Sequence, residues 1–277
     1  ILILIVIGSI LSLLMSGFGH SNSFLSNREI FEIVKFTIIQ STISVLISLF
    51  LGVFVAKILI SIKSRSLKII FLSFSSVAFV IPTVVAGIGI IKVWGGNGLL
   101  NYIEFIFGFG DKELVVFGLF GILLAHVFFN APLFLRVFYS CLDSIPENYL
   151  KNSIQFNLKG FHYFKLIEWP FIKQIIPLLC GIVFLQCFTS FSLILMLGGG
   201  PSASTLEVAI YTAVRYDFDL NSAAKLATIQ LLICLIILII LDIFQKDDFS
   251  NIQVKTIANK HQTPKRKSFL NHSFTVI

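Results

Sequence analysis

The sequence predicts an all-α, polytopic membrane protein of six transmembrane helices, on three observations. Hydrophobic residues make up 56% of the 277-residue chain, charged residues only 13%, and mean hydropathy is +0.94. Soluble domains carry about a quarter of their residues as charges. The apolar residues are gathered into long runs, and the charges fall mainly into the intervals between them.

Each run is judged by length, since a helix rising ~1.5 Å per residue needs about 20 apolar residues to cross ~30 Å of hydrocarbon. The first run, Ile1 to Met15, is short by that measure and lacks an initiator Met. Gly17-Phe18-Gly19-His20 offers no small-x-small cleavage site, so the run reads as a clipped first transmembrane helix rather than a signal peptide. Further runs follow at Phe36 to Ile60, Ile69 to Ile91, Leu114 to Phe138, Ile175 to Leu197 and Ala223 to Phe244. Pro82, followed by Gly87 and Gly89, lies inside the third of the six. It marks either a gating kink or an irregularity satisfied by neighbouring helices.

Lys and Arg in the intervals set the orientation. One set carries Lys63, Arg65, Lys68, Arg136, Lys151, Lys159, Lys165, Lys173 and the basic tail, whereas the opposite set has only Arg28, Lys35, Lys92, Lys112, Arg215 and Lys225. The first set is expected to face the cytoplasm, with both termini on that side. Lys57 and Asp242 stand near helix ends, where long side chains snorkel to the interface.

Several chemistries find no support. The net charge of +7 is scattered between apolar spans rather than clustered with stacking aromatics, so no nucleic-acid partner is expected. The four cysteines form no C-x-x-C and the five histidines no ligand set, so no metal is expected. No catalytic residue or cofactor is assigned, and no G-x-x-x-x-G-K-[ST] is present to cradle ATP phosphates. No midplane series of charges is present to couple energy within the spans, so if the chain serves a pump, a partner ATPase is the remaining source.

The longest polar interval between spans, Asp143 to Pro177, must lie outside the hydrocarbon, where its backbone groups find partners. Its spacing resembles the cytoplasmic signature EAA-x2-G-x9-I-x-L-P of binding-protein-dependent ABC importer permeases. Asn152-Ser153-Ile154 fall at the EAA positions, Asn157 at the glycine, Ile167 at the isoleucine and Trp169-Pro170 at Leu-Pro. The resemblance implies a type I ABC importer permease fold, with a coupling loop over 143–174. That loop would form two short helices seated in a cleft of a cytoplasmic ABC ATPase dimer. The residues implied at the contact are Pro146, Glu147, Asn152, Ser153, Ile154, Asn157, Gly160, Phe161, Ile167, Trp169 and Pro170. Asn at the glycine position is admissible because Asn tolerates a left-handed backbone.

Two more stretches, Leu124 to Pro132 and Leu197 to Tyr211, look like the N-terminal half of thiamine ABC transporter permeases, as do Glu168-Trp169-Pro170 and Tyr216 to Leu220. The substrate so implied is thiamine or thiamine pyrophosphate, delivered by a periplasmic binding protein to a bacterial inner-membrane permease. Ferric-iron permeases are similar and give the alternative; a secondary transporter without an ATPase is the rival from another class. Full-length permeases of this kind hold two six-helix halves, so residues 1–244 are read as one half. Residues 245–277 are then a basic cytoplasmic tail or the linker to a second half, with Lys265-Arg266-Lys267 touching lipid headgroups.

Three smaller readings remain. His126 and Asn130 are four apart, hence on one helix face. That face either lines a translocation path or bonds a neighbouring helix. Gly198-Gly199-Gly200-Pro201 reads as a turn outside the membrane, with Ser204 or Thr205 capping a short helix that contains Glu207. The 30 Phe residues read as lipid-facing or packing groups rather than a cage for a cation.

Overall fold

The computed structural model describes residues 26–96, 98–99, 102, 116–200 and 203–260, with residues 8 and 12, and only the backbone of 150 and 244–260. The expected first span, Ile1 to Met15, and the cluster Lys265-Arg266-Lys267 lie essentially outside the described residues. All regular structure among the described residues is helical.

Helix α1, Asn27–Ser61, starts nine positions ahead of the predicted run because a capping box fixes it. Ser26 Oγ accepts the Glu29 N–H at 3.3 Å, and Glu29 Oε2 accepts the Ser26 N–H at 2.8 Å. Its buried face is polar, with Thr37, Gln40, Ser41, Ser44 and Ser48 turned inward at helical spacing. Its apolar face is open, Phe50 and Leu46 being 70% and 58% exposed. In lipid an apolar exterior costs nothing, and small or polar residues drive helix association instead.

The predicted span Ile69 to Ile91 is broken. Helix α2, Arg65–Val80, and helix α3, Thr83–Trp94, meet at an angle of 110°. Pro82 forces its predecessor out of the α region, and Ile81 accordingly sits at φ −68°, ψ 126°. A bend of this size exceeds a kink within one helix.

Helix α4, Leu119–Asp143, follows Gly118, whose φ of +88° and ψ of −153° only glycine adopts readily. Arg136, assigned above to an interval, lies within α4. Its guanidinium donates to Leu72 O and to the Ser75 and Ser76 hydroxyls, which ties α4 to α2.

Helix α5, Glu147–Gln155, is followed by α6, Gly160–Tyr163, a π turn over Phe164–Glu168, and α7, Trp169–Phe188. The last three form one continuous rod from Gly160 to Phe188. The span placed at Ile175 to Leu197 therefore begins earlier and ends at Phe188, where the Thr189 hydroxyl bonds back to Leu185 O at 2.8 Å. A short helix α8, Ser192–Leu197, then leads to α9, Leu206–Arg215. Helix α10, Leu220–Lys260, runs past the predicted end at Phe244 into the polar residues that follow.

Among the described residues four helices are long and apolar enough to cross a membrane, namely α1, α4, the Gly160–Phe188 rod and α10 to Ile243, and the bent α2–α3 pair makes a fifth if counted as one span. The all-helical membrane architecture stands, whereas the expected six spans are not shown: the described residues hold four, or five with the bent pair.

Candidate functional site

At the Ser61 end of α1 the polar interval forms a compact cap. Pro146 precedes α5 at φ −61°, a value its ring fixes in advance. Glu147 and Lys151 pair one turn apart at 3.6 Å on the exposed face. The helix ends in a Schellman motif: the Leu158 N–H donates to Ser153 O at 2.9 Å and the Asn157 N–H to Ile154 O at 3.0 Å. Asn157 occupies the left-handed position at φ +49°, the conformation expected of the signature's glycine. Gly160 opens the second helix at φ +56°.

The bend between α5 and α6 presents apolar knobs to solvent. Ile154, Phe156 and Phe161 are 78%, 74% and 72% exposed. Tyr149 of α5 meets Phe171 of α7 edge-on at 5.4 Å, which holds the cap against the rod. The other predicted contact residues separate by depth. Glu147, Asn152, Asn157, Gly160 and Trp169 are exposed and Pro146 and Pro170 partly so, whereas Ser153 and Ile167 are buried. Ile167 belongs to the apolar core with Ala56, Leu59 and Phe138 and supports the cap from within.

The π turn has a local cause. An α-helical continuation would set the Pro170 ring against the Leu166 carbonyl, and a proline has no N–H to offer it. The Trp169 N–H instead reaches Phe164 O, five residues back. Beside this turn the Lys57 ammonium lies 3.1 Å from Glu168 Oε2 and 4.2 Å from the Phe164 ring centre. Lys57, read above as a snorkelling side chain, is therefore ion-paired. Phe156 and this pair were missing from the predicted site. Phe156, an aromatic beside Asn157 in a polar interval, was a readable signal; the pairing of two residues so distant in sequence was not.

Further along the molecule, His126 and Asn130 join an interhelical polar cluster. Ser44 Oγ and His126 Nδ1 are 3.1 Å apart, Asn130 Nδ2 donates to Cys187 Sγ at 3.2 Å, and Gln40 Nε2 donates to Cys187 O at 3.1 Å. His126 and Asn130 are 3% and 6% exposed, so in this state both bond neighbouring helices. At the Asn27 end, Thr205 holds the N-cap position of α9 and its carbonyl accepts the Ala209 N–H at 2.8 Å, but its side chain makes no cap bond. The Leu206 N–H is taken by Thr37 Oγ1 at 3.1 Å, which corrects the expected capping by Ser204 or Thr205. A cavity of about 640 Å³ opens at that end between α1 and the Gly198-Gly199-Gly200 turn. No group of three or more His, Cys, Asp or Glu side chains suited to a metal occurs among the described residues.

The chain is similar to the thiamine transport system permease proteins of Brucella abortus and Haemophilus influenzae. Identity is 32% over 94% of this chain with the former and 38% over 74% with the latter. These matches cover 48% and 38% of the two relatives, so the chain spans at most about half of their length. Its fold is similar to that of a chain from a bacterial ABC transporter importing the acidic polysaccharide alginate, with a TM-score of 0.73, 15% identity, and coverage of 87% of this chain and 89% of that one. A multi-pass apolar bundle with this fold agrees with the family profile that matches residues 48–247. The chain belongs to the binding-protein-dependent transport system inner membrane components.

Proposed function

We propose that this chain is one half of the membrane path of an ATP-driven importer for thiamine or thiamine pyrophosphate, with the 146–170 segment docked on a separate ATPase dimer. The observation that carries the reading is the group Ile154, Phe156 and Phe161, each more than 70% exposed around one rigid bend. Large apolar groups gathered on a polar end, rather than scattered singly, mark a surface that another protein covers. Burying three such side chains in a partner's groove contributes about 1.5–3 kcal/mol each, enough to anchor an interface.

In this reading the Ser61 end of α1 is cytoplasmic and a periplasmic binding protein meets the Asn27 end. A second permease half, fused or separate, completes the path. Closure of the ATPase dimer moves the α5–α6 cap, and the helices reorient to open the other side. This chain transforms no substrate; ATP is hydrolysed on the partner. The similarity to thiamine permeases supports the substrate.

The experiment is co-purification followed by uptake. Phe156→Asp with Phe161→Asp is expected to release the ATPase while leaving the permease folded, because both side chains stand in solvent. Retention of the ATPase by the double variant, with undiminished uptake of labelled thiamine, would overturn the docking surface. Uptake of ferric iron in place of thiamine by the assembled wild-type complex would keep the docking and replace the substrate.

A further inference from the structure

We infer that Lys57 and Glu168 are positioning residues for the transport cycle: their ion pair fastens the α5–α6 cap to α1, so that a displacement of the cap is carried into the middle of the molecule. The inference rests on the proposed docking of the 146–170 segment on an ATPase.

Four features place the pair in that role. Glu168 closes the π turn, directly ahead of Trp169-Pro170, so it stands at the junction of the solvent-facing cap and the long rod. The extra residue in this turn changes the angular register of everything before it, and it leaves Glu168 facing inward with its side chain only 7% exposed. Lys57 lies in the last turns of α1, its ammonium 3.1 Å from the Glu168 carboxylate and 4.2 Å from the Phe164 ring centre. One cation therefore grips the π turn at both its first and its last residue.

The seam around the pair is apolar, with Ala56, Leu59, Ile60, Tyr163 and Ile167 packed together. Apolar surfaces slide over one another at little cost, whereas separation here would strand the buried Glu168 carboxylate without its partner, Lys57 itself being 38% exposed. The cap and the end of α1 are thus obliged to move together. From Lys57 to Ser44 the helix runs about 20 Å at ~1.5 Å per residue. Ser44 contacts His126 and Gln40 contacts Cys187, so α1 delivers the displacement to both α4 and α7.

The test uses the assembled transporter, comprising both permease halves, the ATPase and the binding protein, in liposomes. Labelled thiamine imported per ATP hydrolysed is measured for Lys57→Met, Glu168→Gln and the exchanged pair Lys57→Glu with Glu168→Lys. Lys35→Ala, at the exposed Glu32 pair at the opposite end, is the control expected to behave as wild type. The single variants are expected to retain the ATPase and lose import per ATP by roughly tenfold, within the range typical of coupling between sites. The exchanged pair restores the ion pair but not the contact of a cation with Phe164, and is expected to recover part of the loss. An unchanged ratio in both single variants, or an exchanged pair no better than either, overturns the inference. If the single variants do not assemble, the exchanged pair decides: assembled and coupled supports it, assembled and uncoupled or not assembled refutes it. Failure of the wild-type chain to retain an ATPase would instead defeat the docking reading, and is seen before any variant is made.

Discussion

Thr37 of α1 accepts the backbone N–H of Leu206 at 3.1 Å and so caps a helix that lies 169 positions further along the chain. The same hydroxyl donates to Ile33 O at 2.7 Å, so both its donor and one acceptor site are used. Thr37→Val keeps the shape and removes both bonds, leaving a buried N–H unpaired, which costs about 1–3 kcal/mol. Thr37→Ser is expected to stay near wild type. Thermal unfolding in detergent, with only the valine variant shifted downward, checks the assignment.

Asn157 holds a left-handed φ of +49° at the C-terminus of α5. Asn157→Gly is expected to be neutral or slightly stabilising, since glycine enters this region freely. Asn157→Val is expected to cost about 1–2 kcal/mol locally, because a β-branched side chain crowds the backbone there. Hydrogen exchange of the α5 amides should quicken in the valine variant alone.

Gly52 and Gly181 look alike in sequence and differ in what a methyl group would meet. At Gly52 it would land on the Cβ of Phe134, with the Leu135 backbone nitrogen 3.0 Å away, so α1 and α4 must part. At Gly181 it would meet Leu241 from Cγ out to both methyls, so that side chain must swing away as a whole, but no backbone atom stands in the way. Gly52→Ala is expected to destabilise by about 1–3 kcal/mol, and Gly181→Ala by less, because a side chain rather than a helix backbone has to give. Unfolding midpoints of the two variants in one detergent would rank them.

Arg136 joins α4 to α2 through Leu72 O, Ser75 and Ser76. Lysine offers a compact ammonium in place of the planar fork and cannot serve all three together. Arg136→Lys is expected to loosen α2, read as faster exchange of its amides, with Arg136→Leu more severe. Equal protection of α2 in all three proteins would contradict the tie.

What the sequence made legible was what hydropathy and turn chemistry encode locally. The long apolar runs, the polar interval and the left-handed suitability of Asn157 were all readable. The breaks were readable only in part: Pro82 marked a place where the run from Ile69 to Ile91 could bend, but not that the chain turns there through 110°. The fifth run likewise conceals the end of α7 at Phe188, because the residues on either side of Thr189-Ser190 are equally apolar. Partnerships were hidden for another reason. Lys57 with Glu168, Thr37 with Leu206 and Arg136 with α2 each join distant segments, and no local periodicity records which polar groups will meet once helices pack.

The register between α1 and α4 carries a consequence for sidedness. Ser44 sits level with His126, and Gly52 with Phe134, so the two helices run in the same direction. The chain must therefore recross between Ser61 and Gly118, however the bent α2–α3 pair is counted. Ser64 and Ser144 then lie on one membrane face, and Ser26 and Gly118 on the other. A single accessible thiol introduced at any one of these four positions assigns the compartment of all of them.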